Sequence, residues 1–359
     1  MINKKIIIAG GTGFIGQLLA AQFGKENRIV IISRHGRKTK DNSYSDRLLT
    51  VADGYNITYW HWDGRQVEKH WAAELEGADL LINLAGKSVN CRYTEQNKQT
   101  ILDSRVNSNR VLAEAIRQCS TPPALWINAA SATIYRHATD RPQDEFTGEI
   151  SDWKKDNMPY SALDRLRFTG KKWAARFRHG KDSEAYQQLD RDFSVQVCKA
   201  WEQSFLDEPT PGTRKVALRI AITLGAGSIL VPFQRLARLG LGGSLGNGRQ
   251  MMSWVHAEDL GRVIHWCLVN PSAEGVYNVA SPGPVSNKQF MSTFRKLVKI
   301  PFGLPAPACM LELGAALIGT ETELLLKSRW VLPARLEKEG FVFRHSTLEP
   351  TLKELLAAM

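Results

Sequence analysis

The residues best suited to chemistry stand at the start of the chain. Ile6 to Gly16 reads IIIAGGTGFIG, with Gly10, Gly13 and Gly16 three apart. The apolar run from Ile6 to Ala9 predicts a short buried strand, and Gln17 to Phe23 (QLLAAQF) predicts the start of a helix. A strand that passes through a glycine turn into a helix is a phosphate cradle. The first glycine permits the tight turn, the second lets a pyrophosphate approach the main chain, and the third lets helix and strand pack closely. The anion then sits at the helix N-terminus, where N–H groups without helical partners point at it. In this reading Gly10, Gly11, Thr12, Gly13, Phe14, Ile15 and Gly16 hold a dinucleotide. The alternative is an ordinary strand-to-helix turn; the strand and helix on either side favour the cradle.

The next strands bear on which dinucleotide is held. Arg28 to Ser33 (RIVIIS) predicts a second strand. A cofactor with a free ribose 2′-hydroxyl usually meets Asp or Glu at this strand's end. Here Ser33-Arg34 stands there, with Arg37 and Lys38 beyond. A guanidinium with no acid beside it suits a 2′-phosphate, so NADP is favoured over NAD. Ile57 to Trp62 (ITYWHW) alternates as a strand, and Asp63 closes it, either as a contact for the adenine edge or as half of a turn-forming Asp63-Gly64 pair. Ala78 to Leu84 (ADLLINL) predicts another buried strand, running into Ala85-Gly86, where small residues let the chain pass close to a cofactor.

These residues need a frame that brings strand ends together. Glu95 to Cys119 reads as a long helix, with Ile101, Val106, Val111, Leu112, Ala115 and Ile116 at helical spacing and Pro122-Pro123 stopping it. Leu125 to Ala130 (LWINAA) predicts a strand with Ser131 at its end, and Arg214 to Leu224 (RKVALRIAITL) predicts a further strand ended by Gly225. A glycine-rich stretch, Leu239 to Gly248, a helix beginning over His256 to Asp259 and a strand from Gly275 to Val279 follow. The alternation predicts an α/β fold: a Rossmann-type doubly wound parallel sheet with ligands at the carboxyl ends of its strands. Residues 1–225 then form the dinucleotide-binding domain, and residues 226–359 a smaller, mixed C-terminal substrate domain, with 254–280 returning to the first.

The bulk properties exclude several classes. A chain of 359 residues with 43% hydrophobic content suits a globular protein with a sizeable core. No apolar run reaches the ~18 residues of a membrane span, and the N-terminus enters its first strand with no signal pattern before it. The five cysteines (Cys91, Cys119, Cys198, Cys267, Cys309) are scattered and odd in number, which fits free thiols in a reducing cytoplasm and no metal site. The net charge of +11 suits either an anionic partner or a phosphorylated cofactor and a basic surface.

Several motifs together make the sequence resemble a known family. GGTGFIG, NLAG at 83–86, RYTE at 92–95, DSRV at 103–106, SATIY at 131–135, Val197-Cys198-Lys199-Ala200-Trp201-Glu202, WVHAEDL at 254–260 and residues 331–356 are similar to an atypical, epimerase-like group of extended short-chain dehydrogenase/reductases. These are nucleoside-diphosphate-sugar epimerases of the NAD-dependent epimerase/dehydratase type. The resemblance spans nearly the whole chain apart from about 38–55 and 146–190. It implies that the glycine turn, Ser33, Arg34, Asn83, Leu84, Ala85, Gly86, Arg105 and Ala130 hold NADP. It implies that Ser131 hydrogen-bonds a substrate oxygen and that Arg249, Gln250 and Trp254 lie near a nucleotide sugar. Tyr135, four residues after Ser131, could point at the nicotinamide, although the tyrosine of relatives there usually shapes the sugar pocket. A homodimer through the helices near 95–119 and 193–207 is a further expectation from the family.

The chain lacks the catalytic pair of the wider family, a loss that its atypical group tends to share. Active members use a Tyr and a Lys four residues apart, the lysine holding the ribose and lowering the phenol's pKa so that it can move a proton. No tyrosine here has lysine four positions later; if Glu202 anchors the family helix, Ser194 and Cys198 occupy those slots. Cys198 reads as packing before nucleophile, Lys199 as a solvated helix residue, and His137 and His256 as structural. Residues 146–190 are an insertion; between Ser151 and Arg191 stand ten Lys or Arg against six Asp or Glu. Leu163, Leu166, Trp173 and Phe177 give this stretch a basic amphipathic helix that could cover the cleft, with nucleic acid disfavoured as its partner. Three functions remain open: an NADP-dependent oxidoreductase or epimerase on a sugar-nucleotide-like or small carbonyl substrate, a redox-inactive NADP-binding sensor or scaffold, and an interaction protein using the basic segment.

Overall fold

Ile6, Ile7, Ile8 and Ala9 are all 0% exposed. A strand buried on both faces requires helices above and below it, which is how parallel sheets are built. The computed structural model describes residues 1–34, 56–151, 193–227, 229–306 and 326–359. In chain order the elements are β1 (Lys5–Ala9), α1 (Phe14–Gly24), β2 (Arg28–Ser33), β3 (Ile57–His61), α2 (Lys69–Ala72), β4 (Leu80–Asn83), α3 (Glu95–Arg117), β5 (Leu125–Ser131) and α4 (Phe193–Asp207). They continue with β6 (Arg214–Ile220), β7 (Ile222–Leu224), α5 (Leu230–Arg238), β8 (Met251–Met252), β9 (Trp254–His256), α6 (Ala257–Val269), β10 (Gly275–Val279), β11 (Val285–Ser286), α7 (Asn287–Leu297), α8 (Ala334–Lys338) and α9 (Leu348–Ala357).

The main sheet has the order β10-β6-β5-β4-β1-β2-β3. Every pair in it is parallel. The chain winds outward from β1 to β3, then returns to the other side of β1 through β4. That reversal opens a crevice at the carboxyl ends of β1 and β4, the place where doubly wound sheets bind ligands. Each face of the sheet carries its own core. Ile6, Ile8, Leu19, Leu260 and Ile264 pack on one, and Ile7, Trp71, Val111, Trp126 and Phe205 on the other. A third core joins Phe233, Phe290, Phe294, Leu348 and Leu352 from α5, α7 and α9. Thus the segment between β9 and β10 rejoins the main sheet, while α5, α7 and α9 gather beside it.

Local sequence and structure differ instructively at one strand. The apolar run from Arg214 to Leu224 breaks at Ala221: β6 pairs with β5 and β10, whereas β7 leaves the sheet to pair with β9. The backbone N–H of Ala221 donates to Val279 O (3.0 Å) and that of Ile222 to Ser253 O (3.3 Å), so the change of partner falls between adjacent residues. Hydrophobic patterning cannot carry that information, because both halves are equally buriable. Arg37, Lys38 and the basic helix expected within 151–191 lie outside the described residues.

Candidate active site

The carboxyl ends of the central strands open on a cleft of about 470 Å³. Gly10, Gly13, Phe14, Ile15 and Gly16 line one side, with Leu84 from the end of β4 and Tyr93, Ile101 and Arg105 from the start of α3 and the loop before it. Ala130, Ser131 and Thr133 form the end of β5. Phe193, Ser194, Val197, Cys198 and Trp201 come from α4, and Ile220, Ala221 and Thr223 from the β6–β7 junction.

The glycines of the turn have different reasons for being glycine. A Cβ on Gly10, at φ +75°, would lie 2.9 Å from Ala85 N and Leu84 C, so two loops touch there. A Cβ on Gly16 would lie 2.5 Å from Gly11 Cα, which is the close helix–turn packing. Gly13 is unlike these. Its φ of −77° suits any residue, and a Cβ would meet nothing nearer than Gly10 O at 3.4 Å. The protein itself does not need glycine at 13, and a ligand lying against the main chain does. Gly13 is also the N-cap of α1, with no side-chain cap and no acid in the first turn, so the N-terminal amides are left for an anion. Two buried donors on the cleft wall, Arg105 Nε and Trp201 Nε1, also have no hydrogen-bond partner among the described residues. The cradle fits a dinucleotide pyrophosphate, and the wall fits a ligand rich in acceptor oxygens.

The other residues expected at the cofactor divide by position. Ser33 ends β2 and the exposed Arg34 follows it, one strand away from the glycine turn. Asp63 accepts the N–H of Arg65 at 2.7 Å, so its carboxylate closes a turn. Ala85 and Gly86 flank the cleft in the loop under Gly10, and the Arg105 guanidinium lies across Gly86, 3.1 Å from where its Cβ would be. Asn83 is 0% exposed and sits beneath the floor. Its amide nitrogen reaches Ser108 Oγ (3.1 Å), Asn109 Oδ1 (2.9 Å) and Asn128 Oδ1 (2.9 Å), while its Oδ1 accepts from Ala85 N (3.0 Å). It shapes the loop from below.

At the reacting end, Ser131 lines the cleft and its Oγ accepts the Thr133 N–H at 3.2 Å, which leaves the hydroxyl proton for a substrate oxygen. Tyr135 corrects the expectation that it points at a nicotinamide. Its side chain is 2% exposed and outside the cleft lining. Its hydroxyl accepts from Arg219 Nη1 (2.8 Å) and lies 3.0 Å from Asn278 Oδ1 and 3.1 Å from the Asp144 carbonyl. Burial raises its phenol above the ordinary tyrosine range, against the opposing pull of Arg219. The tyrosine is pinned in scaffold. Arg219 in turn holds Glu202 with two contacts of 2.6 and 2.8 Å, so the glutamate of the α4 motif anchors its helix to β6.

With Glu202 so fixed, the next turns of α4 present Ser194 and Cys198 to the cleft. Opposite them, Tyr93 Oη lies 3.5 Å from Ser194 Oγ, and its ring meets Phe193 edge-on at 4.9 Å. Sequence reading passes over Tyr93, since the two residues are 101 positions apart and no local pattern links them. Arg105 Nη1 donates to Lys87 O (3.0 Å) and Ile101 O (2.9 Å), and its guanidinium stacks 4.9 Å from the Trp201 ring. Burial pulls this guanidinium below its usual range, and the nearby Cys198 and Tyr93 groups oppose that shift. Tyr93, Arg105 and Cys198 are the only titratable side chains lining the cleft among the described residues.

Two histidines have Nδ1 occupied. His137 Nδ1 accepts the Ser328 N–H at 3.0 Å, and His256 Nδ1 caps α6 by accepting the Glu258 N–H at 3.1 Å. His256, Glu258 and His345 cluster within metal-ligand distance of one another. The donor set does not suit a metal: with His256 Nδ1 an acceptor, the neutral ring carries its proton on Nε2 and offers no lone pair there.

Comparison with known proteins agrees with this architecture. The model of the NAD dependent epimerase/dehydratase family matches residues 6–166, and that of a domain of unknown function (DUF1731) matches residues 306–355. The chain is 30% identical over 359 residues to the epimerase family protein YfhF of Bacillus subtilis, covering 98% of each. It is 27% identical over 357 residues to an epimerase family protein of Staphylococcus aureus, covering 99% of each. Among solved structures, a human epimerase family protein with NADPH superposes with a TM-score of 0.72 at 23% identity, covering 99% of both chains. A UDP-N-acetylglucosamine 4-epimerase of Methanobrevibacter ruminantium in complex with UDP-N-acetylmuramic acid does so with a TM-score of 0.67 at 15% identity, covering 100% of both. Sequence, sheet order and glycine cradle therefore converge: this chain belongs to the NAD-dependent epimerase/dehydratase family.

Proposed function

We propose that this protein is an NADP(H)-binding oxidoreductase that moves a hydride between its cofactor and a sugar-nucleotide-like or small carbonyl substrate. The observation that carries the reading is Gly13: a glycine at an unstrained φ, on the open side of the turn, where only a bound group requires the missing Cβ. Gly13 and the first amides of α1 would hold the pyrophosphate, and Arg34, just past the end of β2, would meet a 2′-phosphate. The human relative solved with NADPH supports NADP, and the relative solved with a UDP sugar supports a nucleotide sugar as substrate. The nicotinamide, when bound, supplies or accepts the hydride. Ser131 donates its hydroxyl proton to the substrate oxygen and so holds the reacting carbon in place.

A second reading, a redox-inactive NADP sensor, rests on α4, which, with Glu202 taken as the anchor of the family helix, carries Ser194 and Cys198 in the slots of the Tyr and Lys of active members. Calorimetry with NADPH and NADH on wild type and Arg34→Ala tests the cofactor. A charge-assisted contact contributes roughly 1.5–3 kcal/mol. Wild type should therefore prefer NADPH by about tenfold or more, and Arg34→Ala should lose that preference while its affinity for NADH holds. Equal affinities in wild type would remove the case for NADP, and binding of neither would remove the dinucleotide reading altogether.

A further inference from the structure

The family's proton-transfer tyrosine is missing from α4, yet the space it would serve is not without a phenol. Tyr93 enters the same cleft from the opposite wall, in the loop that ends at Thr94, the N-cap of α3. Its hydroxyl lies 3.5 Å from Ser194 Oγ, the residue that stands in the tyrosine slot. Ser131, the oxygen-orienting hydroxyl, lines the same cleft. Arg105 is the one cation lining it among the described residues, and Tyr93 feels its charge. We infer that Tyr93 is the proton-transfer residue of this cleft and that Arg105 holds the phenolate, a tyrosine–arginine pair assembled from α3 and its leading loop. The inference rests on the cofactor reading above.

In the reducing direction the carbonyl carbon receives the hydride from the dihydronicotinamide, which is thereby oxidised. The carbonyl π pair moves to oxygen. The Tyr93 O–H bond breaks, its proton passes to that oxygen, and the product is an alcohol. The phenolate left behind shares the cleft with the positive charge of Arg105 and regains a proton from solvent by way of the Ser194 hydroxyl. Cys198 is the other acid on the wall. A thiol is a weak, poorly directed donor beside a phenol, so the proton is assigned to Tyr93.

The test uses full-length wild type, Tyr93→Phe and Cys198→Ala, with NADPH and two probes, para-nitrobenzaldehyde and phenanthrenequinone. Reducing the aldehyde leaves a strongly basic alkoxide that needs a proton as it forms, whereas hydride addition to a quinone carbonyl leaves an α-keto alkoxide, a much weaker base that depends far less on a donor. Tyr93→Phe should bind NADPH within about threefold of wild type and keep most quinone reduction. Its aldehyde reduction should fall by about a hundredfold or more, the scale of a lost general acid. In fluorotyrosine-labelled protein, the fluorine resonance that Tyr93→Phe removes should shift when NADP is added, a readout independent of turnover. Wild-type aldehyde rates in Tyr93→Phe, equal loss of both probes, an unmoved resonance, or NADPH-binding wild type that reduces neither probe each overturn the inference while the cofactor reading stands. The selective loss appearing in Cys198→Ala and not in Tyr93→Phe assigns the proton to the thiol and overturns it too. Wild type that binds no NADPH overturns the cofactor reading, and the inference with it.

Discussion

Two glycines three residues apart in one turn are expected to respond in opposite ways to the same methyl group. Alanine at Gly16 must place its Cβ 2.5 Å from Gly11 Cα, a backbone atom that cannot move aside cheaply. Overpacking of this kind costs about 1–3 kcal/mol or more, so Gly16→Ala should lower the denaturant midpoint and bind cofactor poorly as a consequence. Alanine at Gly13 meets only ordinary contact at 3.4 Å. Gly13→Ala should unfold within about 0.5 kcal/mol of wild type, yet lose about tenfold or more in NADPH affinity by calorimetry. Equal affinity in Gly13→Ala would mean that no pyrophosphate lies there. Tyr135 makes the same point in reverse. It stands four residues from Ser131, but its hydroxyl is spent on Arg219, Asn278 and the Asp144 carbonyl.

At the scale of elements, α4 is the one whose placement decides the site, and the Glu202–Arg219 pair fixes that placement. Both side chains are about nine-tenths buried, at 10% and 11% exposure. Asn109 of α3 adds a second tie, donating to Trp201 O (3.0 Å) and Ser204 Oγ (2.9 Å). Removing one member of a buried pair strands the other charge and costs about 3–5 kcal/mol, whereas replacing both by apolar groups is often neutral. Glu202→Leu should therefore be strongly destabilised in urea unfolding. Glu202→Leu combined with Arg219→Leu should recover much of the loss, and a double variant as unstable as the single would show that the pair is not the anchor. The break of the long strand at Ala221 belongs to this scale as well. The segment changes neighbours from β5 and β10 to β9, and nothing in its own pattern chooses between them.

Over the whole molecule, the C-terminal segment is laced back across the cleft-bearing half. The Ser253 N–H donates to Arg329 O (2.9 Å), the Val331 N–H to Ser253 Oγ (2.7 Å), and the Gln143 N–H to Trp330 O (2.7 Å). Lys327 Nζ and Arg329 Nε reach Thr133 O (3.2 Å) and Thr133 Oγ1 (3.0 Å), in the turn that follows Ser131. Two histidines sit on these seams. His137 accepts from Ser328, and His256 stacks 3.8 Å from His345. Burial depresses both His137 and His256 below the usual imidazole range, aided by nearby cations at His137 and by His345 at His256. The unfolded chain therefore takes up protons at these sites before the folded one does. Their contribution is present above about pH 6.5 and is lost as pH falls through the depressed folded values. The thermal midpoint of wild type should fall between about pH 7 and 5, and less steeply when His137 and His256 are both changed to Gln. A slope unchanged in that double variant would place the acid sensitivity elsewhere.

What the sequence settles by itself is whatever is local. Hydrophobic runs mark β1, β2 and β10 nearly to the residue, because a strand buried on both faces needs unbroken apolar side chains. The glycine spacing marks the cradle, because turn, anion approach and helix packing fall within eleven residues of chain. The helix of α3 is equally legible from its spacing and its proline stop. Tertiary structure alone decides which polar groups meet. It turns Tyr135 into scaffold, sinks Asn83 beneath the cleft, and carries Tyr93 to Ser194 across 101 residues. Periodicity states which face of an element is buried. It does not state which distant element covers that face, and the chemistry of this cleft depends on such distant encounters.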